Sequence, residues 1–175
     1  MAAITITAND HWTQKGEVKL FLFEKFSGTP GQKPAVLFVH GSSMASQPTF
    51  DLKVPGRLYS SAMDYFVEQG YDTWCVDMEG YGRSDKKRDI NCDIANGVDD
   101  LVAATDYIAK TRGIKQFLVY GISSGALRAA CFAERCPPEI EAAEKIRGDG
   151  RAGFDFNGFK RVRRGFDDGI DFAIG

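Results

Sequence analysis

Phe117-Leu118-Val119-Tyr120-Gly121-Ile122-Ser123-Ser124-Gly125 decides how this chain is read. An apolar run leads into Gly-x-Ser-x-Gly, and Ala126, Leu127, Ala130, Phe132 and Ala133 follow in a helix-like segment. A strand that turns sharply into a helix at such a string holds the serine hydroxyl clear of the backbone, the geometry of a nucleophile elbow. Small residues, here Gly121 and Gly125, are needed on both sides because the bend brings strand and helix close together. Ser123 is therefore the candidate nucleophile. The amides that open the helix collect unpaired N–H groups and the positive end of its dipole, which makes the Ser124 N–H a candidate oxyanion donor.

Upstream, Pro34-Ala35-Val36-Leu37-Phe38-Val39 is continuously apolar, as expected for a strand covered on both faces. His40-Gly41-Ser42-Ser43 follows it directly. A residue just past Gly41 is placed to aim a second N–H at the same oxygen, and Ser42 is the candidate. Two fixed donors would stabilise charge that develops only in the transition state. His40 reads as a buried loop histidine bonded to local backbone, shaping the loop together with Gly41. Residues 71–76 form the next strand, and Asp77 ends it on the side of an α/β sheet where ligands bind. The glycine-punctuated loop Glu79-Gly80-Tyr81-Gly82-Arg83-Ser84 comes after, with Asp77 expected to accept backbone N–H bonds there.

The other elements fit one pattern. Residues 18–23 alternate and read as an early strand. Residues 60–69 read as a helix with Met63, Phe66 and Val67 on one side and Gly70 as its stop. Ile94, Val98, Leu101, Thr105 and Ile108 lie on one face of a helix that ends near Gly113. Pro137-Pro138 is expected to end the helix after the elbow. Three strand-then-helix units in succession predict an α/β fold with a parallel sheet and right-handed crossovers.

Composition narrows the function. A length of 175 residues suits one domain with a proper core. A net charge of −2 argues against nucleic acid or anionic membrane as partners. No apolar run approaches the roughly 20 residues needed to span a bilayer. Residues 1–7 lack the basic and long apolar segments of a signal peptide, so a cytoplasmic location is expected. GxGxxG is not matched and no Gly-Lys-Ser/Thr phosphate loop exists. Cys75, Cys92, Cys131 and Cys136 have no CxxC spacing and read as unpaired structural thiols, Cys75 and Cys131 as small buried hydrophobes. From about Arg147 the composition shifts to Gly, Asp, Phe and Arg without a helical or strand period. Residues 1–146 are thus expected to form the core, and 147–175 an irregular tail, disordered or loosely packed.

Taken together, His40-Gly41-Ser42-Ser43 after the third strand, Asp77 with Gly80-Tyr81-Gly82-Arg83-Ser84 after the fourth, and the elbow after the fifth carry a resemblance. Over residues 15 to 140 the chain resembles the N-terminal half of an α/β-hydrolase-fold protein. The resemblance implies a mostly parallel sheet with helices on both faces, C-terminally truncated. It also implies hydrolysis of a small ester, thioester or related acyl substrate without metal or organic cofactor. By it Ser123 attacks and the amides of Ser42 and Ser124 form the oxyanion hole. In that family an acid and then a histidine follow the nucleophile. After Ser123 this chain has Asp149, Asp155, Asp167, Asp168 and Asp171 but no histidine, and His11 lies far upstream. Three readings follow: a truncated product with an out-of-register tail, an enzyme that borrows a histidine from a partner chain, or an inactive binding module that keeps the pocket. A sheet stopping after the elbow helix would expose its last strand as an edge and favour poor solubility or self-association unless the tail covers that edge.

Overall fold

The computed structural model describes residues 4–57, 59–136, 140–142, 144–145 and 173–174, the last three stretches by their backbone alone. Strands β1 (Thr7–Lys15), β2 (Val18–Phe26), β3 (Ala35–Val39), β4 (Asp72–Val76) and β5 (Phe117–Gly121) form a mixed sheet in the order β1-β2-β4-β3-β5. β1 pairs antiparallel with β2, and β2 antiparallel with β4, whereas β3 runs parallel to both β4 and β5. The interior strands read as near-continuous apolar runs because helices cover both faces. Against one face, Leu22, Leu37, Val39, Trp74 and Val119 pack with Leu101 and Ile108 of α3 (Ile94–Arg112) and Phe132 of α4 (Ser124–Arg135). Against the other, Phe21, Phe38 and Tyr120 pack with Phe50 of α1 (Ser46–Phe50) and Met63 and Phe66 of α2 (Ala62–Glu68). Buried Lys25 on β2 pairs with Asp51 and Asp64 and ties the α1–α2 segment to the sheet.

Helix ends follow the sequence. The Ser61 hydroxyl accepts from the Asp64 N–H at 3.0 Å, and the Asp93 carboxylate from the Asn96 N–H at 2.8 Å. Such N-caps are each worth about 1 kcal/mol. Gly113 closes α3 at φ 73°, its N–H donating to the Ala109 carbonyl. That left-handed conformation suits glycine.

Four features go beyond the sequence reading or differ from it. β1 was not foreseen: its side chains are mostly polar and exposed or half-buried, and it forms as an edge strand by pairing along the whole of β2. Leu127 is 56% exposed and Cys131 is exposed, since α4 turns Ala126, Ala129, Phe132 and Ala133 inward instead. β2 runs on to Phe26 and is buried on both faces. The outer edge of β5 is not bare: Phe117 and Leu118 bridge β6 (Ile140–Ala142), and Tyr120 and Gly121 bridge β8 (Ala173–Ile174), which also pairs with β7 (Glu144–Lys145). Pro137, Pro138 and nearly all of the tail expected over 147–175 lie outside the described residues.

The loop after β4 is fastened by charge. Glu79, 1% exposed, takes the Arg88 guanidinium and the Lys15 ammonium, and Lys15 also pairs with buried Asp100. Arg88 outweighs the opposing effect of burial and, with Lys15, holds the Glu79 carboxyl down to about 2 from an ordinary 4.5. A carboxyl depressed by folding adds stability above its unfolded pKa and loses it as pH falls toward its folded one. The stability deficit of Glu79→Gln should therefore be full at neutral pH and fade between pH about 4.5 and about 2. Urea midpoints of both proteins across that range test this, and a deficit independent of pH would contradict it.

Candidate active site

β3, β4 and β5 run parallel with Val39 level with both Val76 and Gly121, so the segments after all three strands emerge at one edge of the sheet. Ser123 stands there at φ 53°, ψ −131°, exposed to solvent. A left-handed φ is rare for a residue with a Cβ and costs on the order of 1–3 kcal/mol, which the surrounding packing must offset. The bend is held by three close approaches. A Cβ on Gly121 would fall 2.5 Å from the Gly125 carbonyl oxygen. One on Gly125 would fall 2.5 Å from the carbonyl oxygen of His40 and nearer still to that of Val39. One on Gly41 would meet the Ser123 Cβ at 2.9 Å and its Oγ at 3.4 Å. Gly121 and Gly125 are there because backbone passes where a side chain would be, and Gly41 because the Ser123 side chain does.

Ser42, after β3, and Ser124, at the start of α4, face each other with their hydroxyl oxygens 2.6 Å apart. Neither residue's N–H donates to a backbone carbonyl among the described residues. The two segments expected to supply amide donors beside Ser123 are thus brought together, and both N–H groups remain free of backbone partners.

His40 is fully buried. Its Nδ1 lies 2.6 Å from the Gly41 carbonyl oxygen and its Nε2 accepts the Met78 N–H at 3.0 Å. These two bonds assign the Nδ1–H tautomer. Burial pushes the ring below the ordinary histidine range against the pull of the Gly41 carbonyl and Asp77, and the charge of Arg128 also lowers it. His40 is a neutral brace between the loops after β3 and β4. His11 sits on β1, bonded to Glu24 at 2.9 Å and to the Tyr107 hydroxyl at 3.0 Å. It is four strands from β5, about 19 Å at a strand spacing of ~4.8 Å. Neither imidazole serves Ser123.

Asp77 accepts the Ser46 N–H at 2.9 Å and its hydroxyl at 2.5 Å on one oxygen, and the Arg83 N–H at 2.9 Å on the other. Its role is loop architecture, as expected. All four cysteines are free, and burial pushes the Cys75 thiol up to about 12. One residue escaped the sequence reading. Arg128, on α4 and 2% exposed, donates through Nη1 to the His40 carbonyl at 3.1 Å and to the Ser124 hydroxyl at 3.3 Å. The only signal for it was an arginine set among small and apolar residues in Ala126-Leu127-Arg128-Ala129-Ala130.

A sheet of this order, with a strained serine between β5 and α4 and helices on both faces, defines the α/β-hydrolase class. Within that class the chain belongs to the family described as Serine aminopeptidase, S33, whose model matches residues 31–143. Solved structures agree on the fold. Epoxide hydrolase A from Mycobacterium thermoresistibile is 24% identical with a TM-score of 0.59, the match covering 78% of this chain and 38% of that one. Est1E from Butyrivibrio proteoclasticus, with ferulic acid bound, is 22% identical with a TM-score of 0.58, covering 75% and 50%. A thioesterase domain from the curacin biosynthetic pathway is 18% identical with a TM-score of 0.57, covering 81% and 49%. The chain thus spans between about two fifths and half of the length of these structures. No curated protein sequence matches it.

Proposed function

We propose that this chain carries the nucleophile and oxyanion side of a serine hydrolase acting on a small ester, thioester or related acyl substrate. The observation that supports it most is the left-handed Ser123, exposed on a bend whose glycines leave no room for side chains. Strain of this kind persists only where the surrounding structure enforces it. Ser123 Oγ would attack the acyl carbon, and the N–H groups of Ser42 and Ser124 would receive the developing oxyanion. Support also comes from the neighbours, one of which is a thioesterase domain and another Est1E with ferulic acid bound. A base for full turnover would be supplied from outside this sequence, since both nitrogens of His40 are engaged and His11 is four strands away.

A short p-nitrophenyl ester tests the reading, with imidazole in the buffer to stand in for the base. Release of p-nitrophenolate by the chain should exceed that by Ser123→Ala, and the difference should grow with imidazole. Triad-deleted hydrolases keep about 10³–10⁴-fold acceleration over water from the oxyanion hole and binding, which sets the expected scale. Equal release by both proteins at every imidazole concentration would remove Ser123 from the chemistry. The engaged state of His40 favours a second reading, a binding module that retains the pocket. It predicts saturable thermal stabilisation by a small acyl ligand without Ser123-dependent release.

A further inference from the structure

We infer that Arg128 is the positioning residue of this site: a buried guanidinium that fixes the spacing of the Ser42 and Ser124 amides and lends its charge to the oxyanion formed between them. The inference rests on the proposed role of Ser123.

Arg128 is 2% exposed, yet no carboxylate pairs with it among the described residues. Its Nε is buried without a hydrogen-bond partner among the described residues. Burying an unpaired cation is costly, and most buried arginines are balanced by an acid. Stability alone therefore gives no reason for the charge.

What the guanidinium does touch is telling. Nη1 reaches the His40 carbonyl on the β3 side and the Ser124 hydroxyl on the α4 side, the two segments that carry the amide donors. The Ser124 hydroxyl in turn meets the Ser42 hydroxyl at 2.6 Å. Since Ser124 Oγ accepts from Arg128, it can donate onward to Ser42, giving an ordered chain from cation to pocket in which each bond polarises the next. The fold makes room for this arrangement: a Cβ on Gly97 of α3 would fall 2.5 Å from Arg128 Cδ and 2.6 Å from Nε. The arginine occupies a slot that only glycine leaves open. Arg128 is buried while Ser42 and Ser123 are exposed, so its fixed positive charge acts on nearby developing negative charge from the protein side of a site that solvent reaches from the other.

Acylation of Ser123 by p-nitrophenyl acetate gives the test. The Ser123 Oγ–acetyl bond forms, the ester C–O bond breaks, p-nitrophenolate leaves, and the serine proton passes to buffer imidazole. The intact mass of the acetylated protein and the p-nitrophenolate released follow the step directly. Arg128→Met, which keeps the stem and removes the charge, should slow acetylation about ten-fold to a hundred-fold, below the about 10²–10³-fold reported for loss of a direct oxyanion donor. The ester concentration at half-saturation should stay unchanged, and Arg128→Lys should recover part of the rate.

Ser42→Ala and Ser124→Ala keep both amides and break the hydroxyl bond. Each should slow acetylation, and the double variant should be no slower than the worse single one, because they sever one chain. These two variants also decide the matter if Arg128→Met does not fold. Unchanged acetylation in Arg128→Met, or in both serine variants, would overturn the inference while leaving Ser123 as nucleophile. Absence of acetylation at Ser123 in the parent chain would overturn both.

Discussion

Gly125→Ala is expected to lower stability by about 3 kcal/mol or more, at the upper end of overpacking effects. The added methyl would meet the carbonyl oxygens of Val39 and His40, which are backbone atoms of β3 and the segment after it and cannot rotate away. Relief requires α4 to move off the sheet. The same movement would separate Ser124 from Ser42, breaking their hydroxyl contact, and would pull Arg128 from the His40 carbonyl. Stability and Ser123 reactivity should therefore fall together. Gly28→Ala is the contrast: its φ is also left-handed, at 71°, but a Cβ there meets nothing within 4 Å. It should cost only the roughly 1–2 kcal/mol of the backbone conformation and leave Ser123 untouched. Denaturant midpoints at unchanged slope would measure both. A Gly125→Ala protein as stable as its parent would show that the tight crossing does not hold the bend.

Arg112→Met should cost about 3 kcal/mol or more at neutral pH, the range for breaking a buried ion pair from one side. Arg112 grips fully buried Glu24 through two bonds, Nε at 2.7 Å and Nη2 at 2.8 Å. Burial pushes the Glu24 carboxyl up, but Arg112, with His11 and Asn9, outweighs it and holds the group below its ordinary value of 4.5. Glu24 thus adds stability above its unfolded pKa and loses it as pH falls. Without Arg112 burial dominates, so protonation relieves the variant already above 4.5, the parent loses its own contribution below 4.5, and the deficit should shrink throughout that fall in pH. Adding Glu24→Gln should restore part of the loss at neutral pH, since a neutral amide leaves no uncompensated charge. A double variant no more stable than Arg112→Met would mean that the uncompensated Glu24 charge does not carry the effect.

The parts of this molecule that obey local rules were legible in its sequence. Met63, Phe66 and Val67, and Val98, Leu101 and Ile108, are inside because helical spacing put them on one face. Gly113 closes α3 because a left-handed turn needs it. The elbow was readable because strand, glycine, serine and helix must occur in that order for the bend to exist. β1 was not, since Thr7-Ala8-Asn9-Asp10-His11 has no apolar alternation and becomes a strand only by pairing with β2. Glu24 and Lys25 look like surface residues and are buried because Arg112, Asp51 and Asp64, distant in the chain, converge on them. Arg128 was hidden for the same reason, as its partners His40 and Gly97 lie 88 and 31 positions away. Cys131 went the other way: apolar character suggested burial, and the rotation of α4 decided otherwise.

The Asp77 carboxylate grips the start of α1 with one oxygen and the Arg83 amide with the other. The start of α1 and the loop after β4 are thereby riveted to a single post. Lengthening either one would drag its neighbour along, so insertions made there one at a time should fail where paired ones succeed.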